Sequence, residues 1–216
     1  TPANGVKSVS TSQSWPMFRE SFTRLTPVSR IISGDAGSIR LHSVAKSTRP
    51  TGDRVKESIF ASLEARGLIE DCEVLDLFAG TGALGLESLS RGAASVILVE
   101  KNPEAHEICL ENSKQVLKAV QKIRPGAAVS NKNLDAFRYL KNVTQVFDLV
   151  FLDPPYEFTN SELLKILASL GNHLSPDATL VVERSDKTED LDKPDWLKVI
   201  SDKKFGSTRV RMYQKI

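Results

Sequence analysis

The sequence of 216 residues contains few cysteines and no long hydrophobic segment. Its two cysteines, Cys72 and Cys109, lie far apart and do not have the spacing of metal ligands. They therefore predict buried thiols in a reducing compartment. No apolar run approaches the roughly 20 residues that a membrane-spanning helix needs, and the N-terminal segment lacks the apolar core of a secretory signal. We expect a cytoplasmic protein with no metal site and no membrane association.

An excess of charge of one sign is also lacking, because 29 basic and 27 acidic side chains leave a formal net charge of +2. The distribution along the chain is less even. Residues 1–58 hold nine Lys or Arg and four Asp or Glu, and residues 203–216 hold five basic side chains and no acid. This asymmetry fits a protein that meets a polyanion on one face, but it also fits two solvated flanks. On charge alone, solvated flanks are the simpler interpretation.

The order of the predicted elements indicates an α/β protein. After residue 72, short segments that are apolar on both faces alternate with helical ones. This alternation is typical of a largely parallel sheet covered by helices, in which ligands bind beyond the carboxyl ends of the strands. The predicted strands are 73–78, 95–100, 127–131, 147–152, 179–183, 197–201 and 209–214. The predicted helices are 84–91, 103–120, 135–141 and 160–170, the last with Asn160 as its N-cap.

The chain divides into three predicted regions. Residues 1–27 are Ser-rich without periodicity and predict a disordered extension. Residues 28–50 predict a β-hairpin with its turn at Gly34–Gly37, followed by a basic linker. Residues 51–216 predict the main domain, which opens with an amphipathic helix.

A glycine-rich loop follows the first predicted strand of the main domain. Gly80, Gly82 and Gly85 match the GxGxxG fingerprint of dinucleotide-binding enzymes, and Glu100 lies near the end of the next strand. A nicotinamide or flavin enzyme is therefore an open alternative. Asp76 favours S-adenosylmethionine, since a carboxylate in this loop repels a pyrophosphate but attracts the ammonium group of that cofactor. A structural role for Asp76, as a cap of the loop, is the other possibility.

Two further acids suit an adenosine group. Glu100 can accept hydrogen bonds from both ribose hydroxyls, unless it is only a surface acid. Asp135 follows the third strand of the main domain and could accept a hydrogen bond from the adenine amine, cap the next helix, or do both. The predicted contacts of S-adenosylmethionine are Asp76, Phe78, Gly80, Thr81, Gly82, Glu100, Lys101, Asp135 and Ala136.

The predicted strand 147–152 leads into the tetrad Asp153-Pro154-Pro155-Tyr156. Two consecutive prolines form a stiff turn without backbone donors, which can present the Asp153 carboxylate and nearby carbonyls as fixed acceptors. The Tyr156 ring can stack on a planar substrate. Such a site suits methyl transfer to a conjugated exocyclic amine, because that nitrogen is a poor nucleophile and must be oriented. We predict that all four residues form the reaction site, with a structural Pro-Pro turn as the alternative.

With these motifs, the chain resembles the bacterial 16S ribosomal RNA guanine-N2 methyltransferase family, the RsmD type. The resemblance covers about residues 28–216 and implies a class I S-adenosylmethionine-dependent methyltransferase fold. That fold has a seven-stranded, mostly parallel, Rossmann-like sheet, here with an N-terminal hairpin that contacts RNA. The matching segments are Arg30–Gly34, Arg49–Thr51, Asp53–Glu57, Asp76–Gly85, Ser90–Ala93, Asp153–Tyr156, Val182–Glu183 and Phe205–Thr208.

The same resemblance implies the reaction and its partner. It implies transfer of a methyl group to the N2 amine of a guanine in 16S RNA, within an assembled or partly assembled small subunit. We also expect the protein to be a monomer. The family usually has adjacent basic residues after the second hairpin glycine, where this chain has Ser38-Ile39-Arg40. The implied RNA contacts are Arg30, Arg40, Arg49, Thr51 and Arg54.

Three other functions remain open at this point. Related tetrads serve N6-adenine methyltransferases of DNA and methyltransferases of protein glutamine side chains. Asn is usual at the first tetrad position in both, so Asp153 argues against them. A catalytically silent RNA-binding assembly factor is the third, and the presence of Asp76, Glu100 and Asp153 disfavours it.

Overall fold

The computed structural model describes residues 27–43 and 52–216. The predicted contacts Arg49 and Thr51 lie outside these residues, as does almost all of the predicted N-terminal extension. The first described elements are strands β1 (Pro27–Arg30) and β2 (Arg40–His42), which pair antiparallel. The predicted hairpin is therefore confirmed. Its strands stop further from the turn than a turn at Gly34–Gly37 predicts, because turn residues occupy 33–38.

Seven strands form the central sheet, in the order β5–β4–β3–β6–β7–β9–β8. The first five of these in the chain are parallel, whereas β9 runs antiparallel to both β7 and β8. The predicted seven-stranded, mostly parallel sheet is thus confirmed. Its strands are β3 (Glu73–Asp76), β4 (Ser95–Val99), β5 (Ala128–Lys132), β6 (Phe147–Leu152), β7 (Leu174–Ser185), β8 (Leu197–Phe205) and β9 (Thr208–Lys215).

Helices cover both faces of the sheet, because successive strand residues point to opposite sides. Val74 of β3 packs into a core with the hairpin and the first three helices, while the adjacent Leu75 packs into a second core with the last two. None of the helices in the described ranges is long and apolar enough to cross a membrane. The helices are α1 (Asp53–Glu64), α2 (Ala83–Ser90), α3 (Pro103–Val120), α4 (Ala136–Leu140) and α5 (Asn160–Leu170), and a 3-10 turn follows α5 at Gly171–His173.

Helix α5 begins one residue earlier than the predicted cap implies. The Thr159 hydroxyl accepts a hydrogen bond from the Glu162 N–H at 3.2 Å, and the Glu162 carboxylate accepts one from the Thr159 N–H at 2.8 Å. Thr159 is therefore the N-cap, and the prediction of Asn160 is wrong. The reciprocal capping box satisfies two backbone donors, and Asn160 instead donates to the Glu189 carbonyl at 3.1 Å.

A buried ion pair fixes the N-terminal hairpin to the main domain. The side chains of Lys56 on α1 and Glu87 on α2 are both 0% exposed, with Nζ and Oε2 3.6 Å apart. Glu87 also accepts hydrogen bonds from the N–H groups of Ile32 and Ser33 at 2.7 and 3.1 Å. The Lys56 ammonium donates to the carbonyl of Arg30. Two charged side chains thus satisfy hairpin backbone groups that would otherwise be buried without partners.

The hairpin turn also contacts the last residue of α2. The N–H of Asp35 donates to the Ser90 carbonyl at 2.8 Å, and the N–H of Ala36 donates to the Ser90 hydroxyl at 3.0 Å. Gly34 has a φ of +84°, and a Cβ there would lie 1.9 Å from the Ser90 carbonyl oxygen. Only glycine therefore permits this approach.

We expect Glu87→Gln to lower the free energy of unfolding by about 3–5 kcal/mol, because it leaves the Lys56 ammonium buried without its carboxylate. Burial already lowers the pKa of Lys56, and the charge of Glu87 opposes that effect. Urea unfolding measures the change. The double variant Lys56→Met, Glu87→Gln should recover part of the loss.

Glu64→Gln is the matched control, because Glu64 also pairs with a basic side chain, Arg91, but is 48% exposed. It should change stability by less than about 1 kcal/mol. Equal effects of the two Glu→Gln changes would show that the buried pair does not anchor the hairpin.

Candidate active site

Four acids follow four neighbouring strands at one edge of the sheet. Asp76 ends β3, Glu100 follows β4, Asp135 follows β5 and Asp153 follows β6. These strands are parallel and lie in the order β5–β4–β3–β6, so their carboxyl ends meet at the same edge. The structure therefore brings the predicted cofactor residues and the predicted tetrad together. Within the described ranges, no group of three or more His, Cys, Asp or Glu could hold a metal ion.

The glycine loop makes a sharp turn between β3 and α2. Gly82 has a φ of +88° and donates from its N–H to the Ala79 carbonyl at 2.7 Å. A Cβ at Gly82 would lie 3.0 Å from both Cys109 Sγ and Leu86 Cδ1. Above the loop, by contrast, a Cβ at Gly80 would meet nothing within 4 Å. The loop is thus closely packed on its inner side and open on the side where a ligand can approach.

Asp76 is buried beneath this loop, with 1% of its surface exposed. Its Oδ2 accepts a hydrogen bond from the Gly85 N–H at 3.1 Å, so the structural capping role is present. Its Oδ1 is buried and has no hydrogen-bond partner among the described residues. Burial raises the pKa of Asp76 to about 7, the N–H groups of Gly85 and Phe78 oppose this, and the charges of Asp153 and Glu100 add to it. An unpartnered, buried carboxylate oxygen fits a cationic ligand such as an ammonium group.

Glu100 links the glycine loop to the end of β4. Its Oε2 accepts a hydrogen bond from the Gly80 N–H at 2.8 Å, and its Oε1 accepts one from the Asn102 N–H at 2.7 Å. A carboxylate has about four acceptor positions, so two hydroxyl groups can still be accommodated. The arrangement fits the predicted ribose contact. The neighbouring Lys101 is exposed.

Asp135 is the N-cap of α4. Its Oδ1 accepts a hydrogen bond from the Arg138 N–H at 2.9 Å, and its side chain is exposed at the sheet edge. The predicted capping role is therefore confirmed. The contact with an adenine amine stays a prediction, as does that of Ala136, which is buried at the first position of the helix.

Three phenylalanines form a cluster that the sequence did not reveal as a unit. The rings of Phe78 and Phe158 meet edge to face with centroids 5.3 Å apart, and those of Phe137 and Phe158 stack at 6.1 Å. Phe78 follows β3, Phe137 lies on α4 and Phe158 follows the tetrad. The cluster therefore packs the loops of the cofactor side against the loop that carries the tetrad.

The tetrad forms a turn with one buried and one exposed end. Pro154 is buried and anchors the turn, whereas Tyr156 is 64% exposed. The N–H of Phe158 donates to the Pro155 carbonyl at 2.9 Å and closes the turn. The Tyr156 ring is thus accessible to a planar group that approaches from solvent, as the stacking role requires.

Asn112 of α3 connects the hairpin to the glycine loop. It is 0% exposed, and its amide donates to the carbonyls of Thr81 and His42 at 2.9 and 3.0 Å. Its Oδ1 accepts a hydrogen bond from the His42 N–H at 2.9 Å. Sequence reasoning missed this residue, because an Asn within an amphipathic helix carries no signal that its partners lie in two distant loops.

The predicted RNA contacts that are described lie together on the hairpin and the start of α1. Arg30 and Arg40 are cross-strand partners, and both are exposed. Arg30 Nε lies 3.7 Å from Asp53 Oδ2, and the next residue of α1 is the exposed Arg54. The elements that carry these three arginines thus meet, and we call the three together the basic surface; Asp53 offsets part of its charge.

The basic C-terminal segment is not a comparable surface. Arg209 forms ion pairs with Asp190 and Asp202 at 2.9 and 2.6 Å, and Arg211 pairs with the same two acids. The Lys215 ammonium donates to two backbone carbonyls. Much of the charge that the sequence concentrates in this segment is therefore offset within the fold.

The chain matches known proteins over most of its length. The family model described as "Conserved hypothetical protein 95" matches residues 29–214. Ribosomal RNA small subunit methyltransferase D of Haemophilus influenzae is 35% identical over 170 residues, which are 79% of this chain and 84% of that protein.

Solved structures show the same architecture. A hypothetical protein from Thermus thermophilus is 26% identical with a TM-score of 0.69, over 86% of this chain and 98% of that one. The rRNA methyltransferase aviRa from Streptomyces viridochromogenes has a TM-score of 0.60 over 81% of this chain and 88% of its own, at 20% identity, and shows the fold alone.

These similarities take in the hairpin, the glycine loop and the tetrad. The seven-stranded sheet with its N-terminal hairpin is a class I methyltransferase fold. The glycine loop is therefore that of an S-adenosylmethionine-dependent enzyme and not that of a nicotinamide or flavin enzyme. The chain belongs to the RsmD-type family of small-subunit ribosomal RNA methyltransferases.

Proposed function

We propose that the protein transfers a methyl group from S-adenosylmethionine to the exocyclic N2 amine of a guanine in 16S ribosomal RNA. The observation that carries the proposal is the position of the tetrad after β6, next to the loop after β3 with its unpartnered Asp76 oxygen. Family membership supports ribosomal RNA as the substrate, and the fixed acceptors of the tetrad support an amine as the reacting group.

S-adenosylmethionine supplies an electrophilic methyl group on its sulfonium when it is bound. In the proposed site, Asp76 Oδ1 accepts a hydrogen bond from its ammonium group, Glu100 accepts those of the ribose hydroxyls, and Asp135 accepts one from the adenine amine. The other proposed contacts are Phe78, Gly80, Thr81, Gly82, Lys101 and Ala136.

The tetrad acts on the guanine, which must leave its stack to reach the sheet edge. The Tyr156 ring stacks on the flipped base. The Asp153 carboxylate and the carbonyls of the Pro-Pro turn accept hydrogen bonds from the N2 amine, which increases electron density on the nitrogen and orients it for in-line attack. In this proposal Asp153 also accepts the proton that the nitrogen loses.

The RNA strand approaches over the basic surface of the hairpin. Arg30, Arg40 and Arg54 are its proposed phosphate contacts, and Arg49 and Thr51 extend this set outside the described residues. We propose that the protein acts as a monomer in the cytoplasm, on a small subunit or an assembly intermediate.

Product analysis tests this function directly. Undermethylated small subunits, free 16S RNA and DNA are each incubated with the protein and labelled methyl donor, then digested to nucleosides. N2-methylguanosine in 16S RNA is the expected product. Label in N6-methyladenine, or cofactor binding without any labelled product, would contradict the proposal.

We expect the affinity for S-adenosylmethionine to fall as the pH is lowered below about 7, because Asp76 then binds a proton and no longer attracts the ammonium group. The limiting slope is about tenfold per pH unit. Titration calorimetry between about pH 5.5 and 7.5 measures it. Asp76→Asn should bind weakly throughout this range, with little pH dependence.

Asp135→Asn serves as the control for this pH effect. Asp135 is exposed, so its replacement should weaken binding without changing the slope. A wild-type affinity that does not change over this range would remove Asp76 from the ammonium contact.

We expect Tyr156→Ala to lower the rate of transfer at limiting RNA by roughly 5- to 150-fold, since base–aromatic stacking is worth about 1–3 kcal/mol. Tyr156→Phe keeps the ring and should retain most of the activity. Because the side chain is 64% exposed, neither change should unfold the protein or alter cofactor affinity. Loss of cofactor binding in parallel with transfer would show that Tyr156 does not act on the base.

A further inference from the structure

A polar pocket lies beside the tetrad, on the side away from the predicted cofactor residues. The end of β7, strand β9, the start of α5 and the loop after β7 enclose it. We call it the Arg184 pocket. Its polar lining consists of Asn160, Arg184, Ser185, Thr188, Glu189, Arg209, Arg211 and Tyr213.

The position of this pocket follows from the strand order. The predicted cofactor acids follow β5, β4 and β3, the tetrad follows β6, and Arg184 lies near the carboxyl end of β7, the next strand. Arg184 Nη2 donates to the Phe158 carbonyl at 2.5 Å, and the Phe158 N–H donates to the Pro155 carbonyl. The pocket therefore borders the turn that carries Tyr156.

Two of the three arginines in the pocket have acidic partners. Asp190 and Asp202 both pair with Arg209 and with Arg211, so that two carboxylates offset two guanidinium groups. These pairs shape one wall of the pocket without giving it a net charge.

Arg184 is different. Within the described part of the chain, no carboxylate forms an ion pair with it, and its Nη1 is buried without a hydrogen-bond partner. The charge of Glu162 favours the protonated form of Arg184, but the Glu162 carboxylate forms its hydrogen bonds with Thr159 and not with Arg184. Burial accordingly lowers the pKa of Arg184. A partly buried guanidinium without an acid costs free energy, which an anion in the pocket would offset.

The neutral groups around Arg184 can also donate to an anion. Ser185 Oγ accepts a hydrogen bond from the Lys187 N–H at 3.3 Å, so its hydroxyl hydrogen is left to donate. Thr188 supplies a second hydroxyl to the lining. Glu189 also lines the pocket, but its side chain is exposed to solvent, where a charge acts less strongly than a buried one does.

We propose that the Arg184 pocket binds one phosphodiester group of the RNA strand next to the target guanine. The proposal rests on the proposed function, because a base held by the tetrad places a flanking phosphate near the neighbouring strand end. A guanidinium without an ion pair among the described residues can pair with the single negative charge of a phosphodiester, and hydroxyl donors beside an arginine are typical of phosphate contacts.

Filter binding of undermethylated small subunits and of 16S RNA, over a range of salt concentrations, tests this site. Arg184→Gln should weaken RNA binding about tenfold at low salt, since a charge-assisted contact is lost. It should also reduce the slope of log affinity against log salt by about 0.7–0.9. Cofactor affinity should stay within about twofold. Arg184→Lys keeps the charge and should restore most of the slope.

The control is Arg66→Gln, which removes the same charge from an exposed side chain just past the end of α1, a helix that packs on the opposite face of the sheet from α5 and the pocket. It should leave both affinity and slope unchanged. Thr188→Glu is a second test, because it places an acid in the pocket while leaving the bond between Arg184 and Phe158 in place. It should weaken RNA binding as much as Arg184→Gln does.

Several outcomes overturn the proposal. An unchanged salt slope in Arg184→Gln, with only the rate of transfer reduced, would show that Arg184 merely holds the Phe158 carbonyl. Wild-type RNA affinity in Thr188→Glu would show that the pocket is outside the interface. If the Arg184 effect on binding is found but no N2-methylguanosine forms, the proposed function fails and the anion site stands. No RNA binding by the wild-type protein would overturn both.

Discussion

The buried carboxylate of Asp76 holds the centre of the site. It sits where β3 turns into the glycine loop, with one oxygen bound to the Gly85 N–H and the other without a partner among the described residues. Glu100 holds the same loop from the neighbouring strand through the Gly80 N–H. A loop fixed by two acids at adjacent strand ends presents negative charge and open space together, which suits a cation with a sugar attached. S-adenosylmethionine, the methyl donor, carries both an ammonium group and a ribose.

The N-terminal hairpin is part of the same packed unit. Glu87 and Ser90 bind its backbone from α2, the helix that follows the glycine loop. Asn112 reaches from α3 to both His42 of the hairpin and Thr81 of the loop. The basic surface and the cofactor loop are thus held in one geometry by buried polar contacts. Under the proposed function, an RNA strand held by the hairpin would meet a sheet edge whose orientation relative to the hairpin is already fixed.

The order of strands divides the sheet edge into three parts. The predicted cofactor acids follow β5, β4 and β3, the tetrad follows β6, and the Arg184 pocket lies at β7. Phe158 joins the parts, because its ring packs on Phe78 and its carbonyl binds Arg184. Under the proposed function, donor, reacting amine and flanking phosphate would lie along one line, with the Pro-Pro turn between them.

Periodicity and strand-end motifs were enough to predict the seven strands, the glycine loop and the four acids, because each depends on residues close together in the chain. Partnerships between distant residues were decided only by tertiary structure. The buried pair of Lys56 and Glu87 joins two different helices, and the offset of Arg211 requires acids from two other segments. A side chain's type predicts what it can bind, but its burial and partners depend on which distant segments pack against it. The cap at Thr159 is different, because Thr159 and Glu162 form the local pattern of a capping box, which is readable in the sequence although Asn160 was predicted instead. For Asn112, Phe158 and Arg184 the partners lie far away in the chain, so the sequence could not predict them.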